Sequence, residues 1–106
     1  MLAVHLEIEE HFIQNRLQEL GLTHLHVQTH SRSVIVFSTE CDRVVEKRAI
    51  FTRMQSGDYA LSIVDQHDHW ELLSVVGPLA EMVKLLTEEL LYVLEQQTNY
   101  QSISLI

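Results

Sequence analysis

The sequence predicts an α+β fold: a two-layer sandwich in which an antiparallel meander of about five strands carries an N-terminal and a C-terminal helix on one face. Three observations predict it. Apolar residues recur at helical spacing near both ends of the chain. Between them lie five short runs rich in β-branched and apolar residues. The connections between most of these runs are short, polar and built from turn residues, which favours hairpins over crossovers. At 106 residues the chain is expected to form a single domain spanning 1–106.

The first helix is expected over 5–20, HLEIEEHFIQNRLQEL, with Leu6, Ile13, Leu17 and Leu20 in one stripe and Gly21 as its stop. A strand competes for the first eight residues, because Leu2, Val4, Leu6 and Ile8 alternate strictly. The helix also carries a second apolar strip. Val4, Ile8 and Phe12 follow one another at i, i+4 and i+8, nearly opposite the first stripe. A helix that caps a small sheet needs only one apolar face, so the second strip points to another helix or another subunit.

The strands follow. Residues 23–30 place Leu25, Val27 and Thr29 inward and histidines outward. Residues 33–38, SVIVFS, are apolar on both faces, as in a strand covered on both sides. Residues 47–54 form the third, with room to start nearer Val44. Residues 59–65 and 70–76 form the fourth and fifth, after turns at QSGD and QHDH, and Trp70 should pack beside the core. Pro78 then opens the last helix, whose apolar face includes Leu79, Met82, Val83, Leu86, Leu90, Val93 and Leu94. The tail holds Ile103 and Leu105 in alternation with polar residues, as in either an added strand or a frayed end. The expected core is Leu6, Ile13, Leu17, Val36, Phe51, Leu61, Ile63, Leu72, Leu86, Leu90 and Val93.

Composition narrows the function classes. Fifteen Asp and Glu stand against seven Lys and Arg, a net charge of −8. That argues against nucleic acid as a partner, because such binding rests on phosphate neutralisation by cations. Residues 32–53 run the other way, with Arg32, Arg43, Lys47, Arg48 and Arg53 against Glu40, Asp42 and Glu46. These are expected as cross-strand ion pairs on a solvated surface. No apolar run reaches the ~20 residues that span a bilayer, so no membrane partner is expected. The acidic start lacks the pattern of a signal peptide, and a single cysteine, Cys41, suits a reducing compartment, so a cytoplasmic location is expected.

Histidine supplies the one chemical motif. THLHVQTHS, residues 23–31, puts His24, His26 and His30 on one side of an extended strand. His24 and His26 have a two-ligand spacing suited to Zn²⁺, whereas His30 lies ~13 Å from His26 at 3.3 Å per residue, too far to share the ion. Further ligands would have to come from the 65–69 turn, where His67 and His69 sit among acids. No HExxH or CxxC spacing supports the site, so the three outward histidines are expected to form a solvated strand face that holds no metal. No cofactor is expected.

The reading that results is a small acidic cytosolic protein of non-catalytic type, an interaction module acting as a homodimer. Its contacts are expected at Val4, Ile8 and Phe12 or at Ile103 and Leu105, and a second partner with a basic surface would suit its charge. The alternative is a metal-binding or histidine-based enzyme using His24 and His26 with the 65–69 turn.

Overall fold

The first stretch is helical from Leu2, so the alternation of Leu2, Val4, Leu6 and Ile8 does not make a strand. In the computed structural model, which describes residues 2–39, 45–64 and 69–95 with side chains from residue 7, helix α1 spans Leu2–Glu19. Ile13 and Leu17 are completely buried on its inner stripe, while Ile8 and Phe12 face out. The helix ends at Gly21, whose φ of +80° is a left-handed angle that glycine adopts without strain. Two side-chain hydrogen bonds fasten α1 to the first strand. Gln14 Nε2 donates to the Leu25 carbonyl at 3.3 Å, and the Thr29 hydroxyl donates to Glu10 Oε1 at 2.6 Å.

Five strands follow: β1 (Leu25–His30), β2 (Ser33–Thr39), β3 (Val45–Arg53), β4 (Tyr59–Val64) and β5 (Trp70–Gly77). They pair antiparallel in sequence order, giving the predicted meander with β1 and β5 at its edges. The tight turn between β1 and β2 puts Ser31 at φ +58°, and the next hairpin but one uses Gly57 at φ +95°. Helix α2 (Leu79–Lys84) then begins behind Pro78, whose carbonyl accepts from the Glu81 and Met82 amides at 3.0 Å each. Both helices cover the same side of the sheet. Leu25, Val27, Val34, Val36, Ala49, Phe51, Tyr59, Leu61 and Ile63 from that side form one core with Ile13, Leu17, Met82, Val83 and Leu86.

The last helix is not the continuous rod its pattern predicts. After Lys84 the backbone widens into a π turn over Leu85–Glu89, closed by the Leu90 amide donating to the Leu85 carbonyl at 3.2 Å. Thr87 contributes to this loosening. Its hydroxyl donates to the Val83 carbonyl at 2.8 Å, a side-chain bond that competes with the backbone ladder. At Leu90 the angles leave the helical region (φ −119°, ψ 31°), and a 3-10 turn over Leu91–Val93 completes the segment. Val93 and Leu94 are therefore buried, while Leu90 is only half-buried. Of the other expected core residues, Leu6 lies where side chains are not described, and Leu72 is corrected below.

One polar pair sits inside the helix–sheet layer. The Tyr59 hydroxyl and Glu9 Oε1 are both buried without a well-formed hydrogen bond among the described residues. Burial, and after it the Glu9 carboxylate, pushes the Tyr59 pKa above its ordinary 10.0, with Arg53 opposing. Above pH 10 the unfolded chain gives up this proton before the folded chain does. The contribution to stability is therefore complete below pH 10 and lost as the pH rises past it. Tyr59→Phe should flatten the alkaline loss in urea titrations, and change stability at pH 7 by no more than about 1 kcal/mol because little hydrogen bonding is lost.

Candidate functional site

The strand registers divide the sheet into two faces, because antiparallel partners point the same way. Opposite the helices, β2 presents Ile35 and Phe37, β3 presents Val45 and Ile50, β4 presents Ala60 and Val64, and β5 presents Trp70, Leu72 and Val76. No described element of the chain covers this outer face. Among the described residues, the sequence reading of SVIVFS as a strand with cover on both sides is therefore met on one side only.

Leu72 belongs to this face, which corrects its assignment to the core. It pairs with Ser62 on the outer side and is 68% exposed. The adjacent leucines of WELLSVVG have opposite parities, and Leu73 is the one that packs on the core. Apolar residues stand on both parities of β5, so periodicity alone cannot tell which parity faces the core, and the two-residue register shift between Ala60 and Ser62 leaves the faces unchanged. Trp70 is corrected for the same reason: it pairs with Val64 and is nearly half exposed on the outer face.

The histidines do not share a face. Strand β1 starts at Leu25, and His24 before it turns toward the helices, where its Nε2 bonds the Leu94 carbonyl at 2.8 Å. A carbonyl only accepts, so Nε2 carries the proton in this contact. His26 stays on the outer face with its ring centroid 5.4 Å from that of Phe37. His30 and His69 are exposed. Among the described residues no group of three His, Cys, Asp or Glu side chains stands close enough to hold a metal ion. His67 lies outside the described residues.

Arg48 is the functional-looking residue that the sequence reading misplaces. It was expected on a solvated surface with Arg32, Lys47 and Arg53, yet it is 2% exposed. The cause is a bulge in β3. Val36 faces Ala49 and Phe37 faces Lys47, so Arg48 is an extra residue and is turned to the helix side beside Ala49. There its Nε donates to the Ser38 hydroxyl at 3.1 Å, and its Nη1 donates to the carbonyls of Val93 at 2.9 Å and Glu95 at 2.8 Å. With His24 on Leu94, three consecutive carbonyls at the end of the helical segment are held by side chains. A cation at a helical C-terminus also suits the partial negative charge there. This clamp is structural: it ties the end of the helical segment, Val93 to Glu95, to β1 and β3.

The expected contact residues are distributed as follows. Ile8 is 68% and Phe12 43% exposed, so the second strip of α1 is open. Val4 has no described side chain, and Ile103 and Leu105 lie outside the described residues. No helix of the described residues is long and apolar enough to cross a membrane. No family model matches the chain, and neither does any curated protein or solved structure.

Proposed function

We propose that this protein is a non-catalytic interaction module that works as a homodimer. The observation that carries the reading is the uncovered outer face, where Trp70, Leu72, Val76 and Val45 stand exposed beside half-buried Ile35, Phe37 and Ile50. Contiguous apolar patches of this kind on a soluble chain mark contact surfaces. A second protein with a basic surface suits the opposite side. Glu7, Glu19, Glu81, Glu88, Glu89 and Glu95 are exposed on the helical layer, and a field of that sign steers a basic partner.

Sedimentation equilibrium of the intact chain at micromolar concentration is the test. The expected mass is twice the 12.3 kDa of one chain. A single-chain mass across the range would refute the homodimer.

A further inference from the structure

We infer that the outer face of the sheet is the docking surface for a second copy of this chain, packed sheet against sheet about a two-fold axis. The inference rests on the self-association proposed above and assigns it a surface.

Charge selects the occupant. A chain with net charge −8 repels its own copies almost everywhere. The outer face is the exception, for among the described residues it holds no carboxylate. Glu7, Glu9, Glu10 and Glu19 lie on α1; Glu81, Glu88, Glu89 and Glu95 lie in the C-terminal segment; and Asp58 lies in the turn before β4. Within the sheet, Glu46 pairs with Ser38 and Glu71 with Ile63, both on the helix side. The polar groups of the outer face are His26, His30, Lys47, Gln28 and short hydroxyl residues. A basic partner finds nothing to pair with here. A second copy brings a matching apolar field free of acid.

Area agrees. Five strands at ~4.8 Å spacing, each about six residues long at ~3.3 Å, give a face of roughly 24 by 20 Å, on the order of 500 Å² in projection. A pleated surface studded with side chains exceeds its projection, and a standard interface takes about 800 Å² of accessible surface per partner. The face is therefore large enough only if used nearly whole, from β2 to β5. That leaves the imidazoles of β1 at the rim and centres the contact on Phe37, Ile50, Leu72 and Val76. Two open sheets packed this way stack about 10 Å apart with interdigitated side chains.

Edge-to-edge pairing of β5 is the competing geometry, and the strand is guarded against it. The two-residue shift breaks its ladder, and Glu71 places a charge on its helix side. Bulges and inward charges are the usual devices that blunt a sheet edge. Among the described residues the outer face carries one lysine, Lys47 beside Phe37, and no carboxylate.

The test compares three substitutions in sedimentation of the intact chain: Leu72→Lys and Val76→Lys on the outer face, and Ile8→Lys on α1. All three side chains are at least half exposed, so each variant should keep the far-ultraviolet circular dichroism of the parent. The expected result is a dimer dissociation constant raised at least about 100-fold by either outer-face lysine and unchanged by Ile8→Lys. Full dimerisation of folded Leu72→Lys and Val76→Lys, or its loss in Ile8→Lys alone, would move the contact to α1 and overturn the inference while leaving the homodimer standing. A parent chain that is monomeric throughout would overturn both.

Discussion

Arg48→Ala should cost about 3–5 kcal/mol of stability, because it leaves buried carbonyl acceptors without their charged donor at about 1–3 kcal/mol each. The substitution strips donors from the Ser38 hydroxyl and from the Val93 and Glu95 carbonyls at once, and leaves a cavity between β3 and the C-terminal turn. Against a total of 5–15 kcal/mol for a typical domain, such a loss leaves a measurable unfolded fraction. Arg48→Lys should recover part of it, about half, because an ammonium reaches one carbonyl but cannot fork between two acceptors and a hydroxyl. Urea denaturation of the three proteins gives the ranking directly. An Arg48→Ala variant within about 0.5 kcal/mol of the parent, the range of ordinary surface substitutions, would mean that the clamp contributes nothing.

Leu86→Ala should cost about 2–5 kcal/mol, through lost transfer energy and the cavity left behind. Leu86 is completely buried between α2 and the sheet. Leu90, one turn later and on the same stripe of the sequence pattern, should cost less than half as much when changed to alanine. The π turn has rotated it to a half-buried position. Midpoints from thermal or urea unfolding distinguish the two. Equal losses would indicate a regular helix through Leu90.

The contrast between these leucines shows where the sequence is legible. Periodicity identified α1, the order of five strands and the helix after Pro78, because each is a repeated local pattern with a clear stop such as Gly21 or Gly57. It could not show features that arise from one extra residue. The bulge that turns Arg48 inward and the π turn before Leu90 are both irregularities of that kind. Their energies depend on contacts far along the chain: Arg48 meets carbonyls 45 and 47 residues away. His24 was misplaced for the same reason, since its partner Leu94 is 70 residues distant.

The candidate surface was half legible. The apolar character of SVIVFS on both parities was plain in the sequence, and so was the second strip of α1. What could not be read was which apolar parity the chain itself would cover. Burial under the helices took Val34 and Val36, and left Ile35 and Phe37 on the open side. An alternation rule assigns faces only relative to one another. The absolute assignment comes from packing.

The central claim is that the outer face meets its own copy, and Trp70 reports on it directly. It is the only tryptophan in the chain, and it stands on that face at the start of β5. Its emission and its quenching by iodide should be followed on dilution from micromolar to nanomolar concentration, with the mass measured in parallel. The account predicts that the dimer shields the indole. Emission should move to longer wavelength and quenching should rise as the dimer dissociates, at the same midpoint as the change in mass. An indole equally open to iodide in the dimer and in the monomer would contradict it.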